Sequence, residues 1–223
     1  SGQPFGERVV AEALWQDDRM RQGLARLRYL ADQATVGLIT GASGVGKSVL
    51  IKRFMHELPR PQYEPVYLHL THLPSAGLLK MLVAKLGEVP RRGKERLFEQ
   101  ILDKARQTEG ALLVILDEAH LLDGDALTDI RLLISSALDD DPPLKVVLVG
   151  QEPLRHTLRQ SLHAALLSRI AVRCHLAPLT KPETATYIDF QLKQAGGSEK
   201  IFEGAVKELI HDYSGGVPRH INN

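Results

Sequence analysis

The amino-acid sequence predicts an α/β fold, in which helices flank a five-stranded parallel sheet and a small helical unit follows it. Short apolar strand candidates alternate with longer amphipathic segments, and this alternation is typical of a parallel sheet covered by helices. Two candidates, 111–116 (ALLVIL) and 145–150 (KVVLVG), are apolar on consecutive residues, as strands buried on both faces must be. A glycine-rich loop at 41–46 directly follows the first strand and opens a helix.

The individual elements are assigned from the spacing of the apolar residues, which are consecutive in buried strands and recur with period 3.6 in helices. The strands are expected at 36–40, 65–70, 111–116, 145–150 and 171–176. The helices are expected at 17–34, 47–58, 75–87, 94–107, 125–138, 153–167, 182–195 and 202–213. Pro178 and the Lys181-Pro182 step mark a domain boundary. We therefore expect a core at 1–179, including an N-terminal segment at 1–35, and a helical lid at 180–223.

Composition limits the class of protein without naming it. Lys and Arg (28) nearly balance Asp and Glu (27), so net charge gives no argument for or against nucleic acid. Cys174 is the one cysteine, which excludes an internal disulfide framework. No apolar run approaches the ~20 residues of a membrane helix, and no signal pattern begins the chain. We expect a cytoplasmic protein, and, because the chain lacks an initiator Met and stops directly after a motif, a longer parent protein.

Residues 41–48 (GASGVGKS) match G-x-x-x-x-G-K-[ST], the pattern of a phosphate-binding loop. The glycines permit a tight turn, so that backbone N–H groups and the helix N-terminus can face the β- and γ-phosphates. Lys47 adds a positive charge, and the Ser48 hydroxyl can bind Mg²⁺. The alternative is an ordinary glycine-rich turn. The residues predicted to bind ATP or ADP are Gly41, Ala42, Ser43, Gly44, Val45, Gly46, Lys47, Ser48 and Val49.

Two adjacent carboxylates, Asp117 and Glu118, end the apolar strand at 111–116. The carboxyl edge of a doubly wound sheet is where ligands bind, so both side chains are expected beside the phosphate loop. Asp117 is predicted to hold Mg²⁺ together with Ser48, and Glu118 to polarise the attacking water. The alternative is a helix N-cap followed by a first-turn acid.

Residues 117–120 also spell DEAH, the box of a helicase superfamily. Such a helicase needs a second RecA-like domain, and the about 100 residues after His120 are too few to form one. His120 is therefore interpreted as a first-turn helix residue. Gln151 follows the strand at 145–150, and its side chain is predicted to reach the γ-phosphate from between the loop strand and the Glu118 strand.

The order of these motifs resembles an AAA+ ATPase, and more closely its ExeA/TnsC-like branch, named for a secretion ATPase and a transposition ATPase. The resemblance spans residues 4–223. It rests on the runs 117–122 (DEAHLL), 129–133 (DIRLL), 148–155 (LVGQEPLR), 168–170 (SRI), 176–179 (LAPL), 183–185 (ETA) with 187–188 (YI), and 215–222 (GGVPRHIN).

The resemblance implies a P-loop NTPase core with strand order 5-1-4-3-2, active as a ring or filament with ATP between subunits. It implies that Arg169 is the arginine finger, with Arg155, Arg159 and Arg173 as competitors, and that Arg219 is the lid arginine that senses the γ-phosphate. The alternative for Arg169 and for Arg219 is a surface ion pair. A guanidinium offsets charge on the transferring phosphoryl group. The segment from Pro4 through the helix containing Leu24, Leu27 and Leu30 is expected to pack on the adenine side, where Trp15 could be core or stack on the base.

These residues predict the chemistry of the site and do not identify the cellular process in which it is used. One interpretation is a regulator of DNA transposition that assembles with ATP on double-stranded DNA and directs a transposase, which the segment 135–144 (SSALDDDPPL) favours. The alternative is the cytoplasmic ATPase part of a secretion-pathway assembly protein, whose partner is a membrane component. A non-hydrolytic, nucleotide-dependent scaffold is a third possibility. Basic residues that could contact DNA, or only form a solvated helix face, are Lys80, Lys85, Arg91, Arg92, Lys94 and Arg96.

Overall fold

The computed structural model describes residues 15, 17–136, 144–198 and 201–223. Five parallel strands form one sheet in the order β2-β3-β4-β1-β5, which confirms the predicted order. The strands are β1 (Val36–Thr40), β2 (Tyr63–His69), β3 (Ala111–Asp117), β4 (Leu144–Gly150) and β5 (Ile170–His175).

Ten α-helices lie in the described part of the chain. They are α1 (Asp18–Gln33), α2 (Lys47–Glu57), α3 (Ser75–Lys85), α4 (Lys94–Gln107), α5 (Gly124–Ser136), α6 (Glu152–Leu158), α7 (Ala164–Leu167), α8 (Lys181–Gln194), α9 (Gly204–Ser214) and α10 (Pro218–Ile221). Short 3-10 turns occupy Ala119–Leu121 and Ser161–His163. The helix predicted at 153–167 is therefore wrong as one element, because Gln160 is extended (ψ 144°) and separates α6 from the turn before α7.

The core surrounds the sheet on both faces. A buried cluster joins one face to α3, α4 and α5, and β3 contributes Leu112, Val114 and Leu116 to it. Leu113 and Ile115, which alternate with them, are also fully buried. Because side chains alternate across a strand, burial of both sets explains the continuous apolar run.

The chain forms two compact units. The first contains the described residues up to Leu24, together with Gly41–His56 and His175–Asn223. The second contains Ala25–Thr40 and the described residues of Glu57–Cys174, and so holds nearly all of the sheet. The boundary between residues 179 and 180, drawn by chain order, stays a prediction.

Helix α8 begins where the sequence places a boundary. Thr180 Oγ1 accepts from the backbone N–H of Glu183, and the Glu183 carboxylate accepts from Thr180 N at 2.8 Å. This reciprocal capping satisfies donors at the helix N-terminus.

None of the described helices is both long and apolar enough to cross a membrane. Residues 4–14 and 16 of the N-terminal segment expected on the adenine side, and residues 137–143 of the segment expected to favour transposition, lie outside the described residues.

Candidate functional site

The loop between β1 and α2 has the backbone that its glycines allow. Gly44 (φ 81°) and Gly46 (φ 110°) adopt positive φ, where a residue with a Cβ would be strained. Val45 between them is fully buried and anchors the loop. The sequence therefore folds this segment into the tight turn that a phosphate-binding loop requires.

Lys47, the first residue of α2, is buried with its ammonium group held over the loop. Nζ donates to the carbonyl oxygens of Gly41 at 2.9 Å and Ala42 at 2.8 Å. A buried cation needs compensating partners, and these carbonyls supply part of that compensation. The side chain is thus positioned where a phosphate bound in the loop would meet its charge.

Arg219, on α10, contacts the same loop. Its Nη1 donates to Ser43 Oγ at 3.0 Å, and its backbone N–H donates to the Gly44 carbonyl at 3.3 Å. A Cβ built on Gly44 would lie 2.7 Å from the Arg219 Cβ, so a side chain at position 44 would push this helix away. The unit that contains the loop therefore also contains the arginine that the family resemblance assigns to the γ-phosphate.

Trp15 packs against the lid helix α8. Its ring lies edge-on to Tyr187 with centroids 5.3 Å apart. Tyr187 Oη donates to Asn222 Oδ1 at 3.0 Å and accepts from Gln191 at 2.9 Å. This contact places Trp15 against the lid helix, and both roles given to it, core residue and base-stacking residue, stay predictions.

Asp117, at the end of β3, is a buried carboxylate that accepts hydrogen bonds. Tyr67 Oη donates to Oδ2 at 2.6 Å, and the backbone N–H of Glu118 donates to Oδ1 at 2.9 Å. Burial raises the pKa of the Tyr67 phenol, and the hydrogen bond to Asp117 raises it further. Tyr67 therefore stays a neutral donor that fixes the orientation of Asp117.

Glu118 is the only described residue other than glycine with positive φ (59°). A left-handed backbone is costly for a glutamate, by roughly 1–3 kcal/mol, and such strain is concentrated at functional sites. The conformation ends β3 abruptly and starts the 3-10 turn 119–121. It also carries the Glu118 side chain, 28% exposed, out of the buried strand.

Gln151 and His120 lie together beyond the ends of β3 and β4. Gln151 Nε2 is 3.3 Å from His120 Nε2, and His120 Nδ1 is 3.2 Å from Glu118 Oε2. Gly150 makes this approach possible, because a Cβ there would meet Leu154 Cδ2 at 2.9 Å and the His120 backbone nitrogen at 3.2 Å. Strand β4, which Gln151 follows, lies between β3 and β1, as predicted.

The arginines proposed as fingers differ in their contacts. Arg155 forms an exposed ion pair with Glu152 of the same helix at 2.7 Å. Arg169 and Arg173 each donate to a backbone carbonyl, at 2.7 and 3.1 Å, and within the described chain neither pairs with a carboxylate. Arg159 is exposed. Arg169, immediately before β5, thus keeps a guanidinium that an anion could still approach.

The predicted metal ligands suit Mg²⁺ better than a metal held by protein alone. In the residues that the structure describes, no three His, Cys, Asp or Glu side chains cluster to hold a metal ion. Mg²⁺ binds one or two carboxylates or hydroxyls and completes its shell with phosphates and water. A single buried, oriented carboxylate such as Asp117 fits that requirement.

Sequence reasoning missed two contributors, Tyr67 and the contacts of His120. Tyr67 lies on β2, which pairs with β3 in register His69 to Asp117. A polar aromatic residue inside the apolar strand PVYLHL is a signal for it. His120 does lie in a helical turn as interpreted, but its ring joins Glu118 to Gln151 across residues far apart in sequence, which no local pattern reveals.

Comparisons with known proteins identify relatives of this chain by sequence. A profile described as an AAA domain matches residues 30–158. The chain is 34% identical over 227 residues to General secretion pathway protein A of Aeromonas hydrophila, a match that covers 98% of this chain and 41% of that protein.

Two solved structures are similar in fold. The Aeropyrum pernix ORC2 protein in its ADP form is 19% identical, with a TM-score of 0.70 over 98% of this chain and 64% of that one. Cdc6p from Pyrobaculum aerophilum is 17% identical, with a TM-score of 0.72 over 97% and 62%. The chain spans less than two thirds of each of these proteins.

Proposed function

The chain belongs to the AAA domain family of AAA+ ATPases, and from this premise we propose that it binds ATP with Mg²⁺ and hydrolyses it. The phosphate loop 41–48 holds the phosphates, with Lys47 as its charge. Ser48 and Asp117 are the proposed Mg²⁺ ligands. Mg²⁺ would offset charge on the phosphate oxygens.

Glu118 is the residue that carries the hydrolysis part of the proposal. It follows the oriented Asp117, adopts a costly backbone conformation and directs a partly exposed carboxylate out of the sheet. A carboxylate in that position can polarise an attacking water. A scaffold that only binds nucleotide does not need this second carboxylate.

Paired variants test the assignment. Lys47→Ala should abolish ATP binding, because the charge on the phosphates is lost. Glu118→Gln should bind ATP normally and lower turnover by roughly 100- to 10,000-fold to a measurable residual rate, because only the water-activating group is changed. Lys52→Ala, which removes an exposed lysine from the same helix α2, is the matched control. Nucleotide binding and phosphate release are measured on all of them.

The outcomes separate the alternatives. Equal loss of nucleotide affinity in both variants would contradict the role given to Glu118. Turnover of Glu118→Gln near the rate of the unmodified chain would assign water activation elsewhere. A wild-type chain that binds ATP and never turns it over would favour the non-hydrolytic scaffold.

We further propose that the active form is an oligomer, a ring or a filament, in which Arg169 acts on the nucleotide of a neighbouring subunit. The free donor capacity of Arg169 in the described chain supports this. Arg219 is the proposed sensor within its own subunit, as its contact with Ser43 supports.

For the client, we propose the secretion-pathway interpretation first, acting from the cytoplasm on a membrane component. A secretion protein is 34% identical over nearly the whole chain. The transposition interpretation, with double-stranded DNA and a transposase as partners, rests on the segment 135–144, most of which lies outside the described residues, and on the basic residues of α3, of α4 and of the segment between them.

A DNA-binding measurement decides between them. A transposition regulator should bind double-stranded DNA more tightly with a non-hydrolysable ATP analogue than with ADP. Its affinity should fall roughly a thousandfold between 50 and 200 mM salt if about six phosphates are neutralised. The test variant is Arg91→Glu/Arg92→Glu. Lys94 is left unchanged because it pairs with the buried Asp129 at 2.7 Å. ATP-dependent assembly without DNA binding at 50 mM salt would favour the secretion protein.

A further inference from the structure

The side chain of His120 is placed between the two residues that the proposed reaction needs beyond the phosphate loop. Its Nδ1 lies 3.2 Å from the Glu118 carboxylate, and its Nε2 lies 3.3 Å from the Gln151 amide nitrogen. The ring is only 15% exposed. Neither the phosphate loop nor the metal ligands require a histidine here.

The contact with Gln151, whose amide nitrogen is oriented toward the ring, implies one tautomer of the imidazole. An amide nitrogen carries hydrogens and can only donate, so the His120 nitrogen that faces it must accept. A neutral imidazole that accepts at Nε2 carries its proton on Nδ1. That proton is directed toward the side of the ring on which the Glu118 carboxylate lies.

Nδ1 is buried and makes no well-aligned hydrogen bond with any described residue, although Glu118 Oε2 is close to it. The distance between Nδ1 and Glu118 Oε2 is short enough for a hydrogen bond, but the angle is not suitable. The two groups therefore lie in contact without a hydrogen bond between them. A small rotation of the Glu118 carboxylate would align it. Catalytic hydrogen bonds are commonly long or bent before substrate binds and tighten afterwards.

We propose that His120 is a positioning residue for hydrolysis, which holds the Glu118 carboxylate through Nδ1–H and is itself held through Nε2 by Gln151. The inference rests on the proposed ATPase function. Gln151 has one amide group to direct, so turning it toward a phosphate would release His120 and, through it, Glu118. Nucleotide state and carboxylate orientation are thereby linked through a single imidazole.

Two replacements separate the two nitrogens of the ring. The amide nitrogen of asparagine replaces Nδ1, and that of glutamine replaces Nε2. His120→Ala and His120→Gln should lower kcat about tenfold, less than the roughly 100- to 10,000-fold contribution of a positioned base. His120→Asn should retain most of the turnover. KM and ATP affinity should not change in any of the three.

The same change on the Glu118→Gln background tests whether His120 acts through Glu118. His120→Ala should then cause no further loss. An additive loss, or nucleotide affinity that falls together with kcat, would overturn the positioning role. If the unmodified chain has no ATP turnover, the proposed function and this inference both fail, whereas normal turnover in His120→Ala overturns this inference alone.

A spectroscopic test does not depend on turnover. In protein labelled with ¹⁵N-histidine, the His120 ring, assigned by its loss in His120→Asn, should show a protonated Nδ1 and an unprotonated Nε2. Gln151→Leu should shift mainly the Nε2 signal, and Glu118→Gln mainly the Nδ1 signal. The opposite tautomer, or signals insensitive to both changes, would overturn the inference.

Discussion

Arg219 contacts the phosphate loop through Ser43 Oγ at 3.0 Å, so removal of its side chain should lower the affinity for nucleotide. Arg219→Ala should weaken binding of an ATP analogue roughly 10- to 100-fold, the value of one hydrogen bond to a charged group. ADP affinity should fall less, because the γ-phosphate is the proposed partner. Both affinities are measured by titration with fluorescent nucleotide.

Two variants make this result specific. Lys52→Ala removes an exposed positive charge from α2 and should leave both affinities unchanged. Arg219→Lys should rescue only partly, because an ammonium lacks the planar fork of a guanidinium. Equal losses for ATP and ADP would show that Arg219 stabilises the loop and does not sense the γ-phosphate.

At the scale of single residues, the sequence predicted what depends on local chemistry. The positive φ of Gly44 and Gly46 follows from a motif whose spacing is fixed along the chain. The hydrogen bond between Tyr67 and Asp117 joins residues 50 positions apart and depends on strand pairing. Such partners become visible only when the sheet register is known.

Three elements meet at an ion pair between a buried carboxylate and a half-exposed lysine. Asp129 of α5 is 1% exposed, accepts from Ser75 of α3, and lies 2.7 Å from Lys94 Nζ of α4. Lys94→Met should destabilise the fold by roughly 3 kcal/mol, because it leaves a buried carboxylate without its cation. Asp129→Asn should cost only about 1 kcal/mol, since the half-exposed Lys94 can turn to water. Chemical denaturation measures both free energies of unfolding.

The double variant Lys94→Met/Asp129→Asn provides the internal control. It should be more stable than Lys94→Met alone, because no unpaired buried charge remains. Lys80→Met changes an exposed lysine of α3 and should be close to neutral. If Lys94→Met is also neutral, the ion pair contributes no stability, and Lys94 would rejoin the basic residues available to DNA.

At the scale of elements, the error between 153 and 167 has a physical cause. Leu154, Leu158 and Leu166 are buried and recur at intervals that suggest one continuous helix. The extended Gln160 breaks that helix, so that Leu162 becomes 70% exposed and His163 is buried instead. The spacing of apolar residues cannot reveal a break in a helix when the same helical period continues before and after the break.

At the scale of the whole molecule, the sheet order came from the family resemblance and not from periodicity. Apolar patterns identify strands and cannot order them, since pairing is decided by connections and packing across the fold. The grouping into compact units also follows contacts and not chain order, because residues 41–56 share a unit with the C-terminal segment. Around Thr40 and Gly41, the local sequence predicts only a change from strand to loop. It does not predict that the boundary between the two units lies there.

If the active form is an oligomer, two inactive variants should restore turnover when they are mixed, which independent monomers could not do. Arg169→Ala and Lys47→Ala should each be inactive, the first because a neighbour's site lacks its guanidinium and the second because its own site cannot hold phosphate. Mixed together, they should regain part of the turnover, since some interfaces combine an intact loop with an intact Arg169. An arginine supplied across an interface can contribute roughly 10³–10⁵-fold to phosphoryl transfer, so partial recovery should be well above background.

Arg155→Ala is the control, because its pairing with Glu152 predicts little loss. Absence of recovery despite proven co-assembly would assign the finger to Arg155, Arg159 or Arg173, or place Arg169 in its own subunit's site.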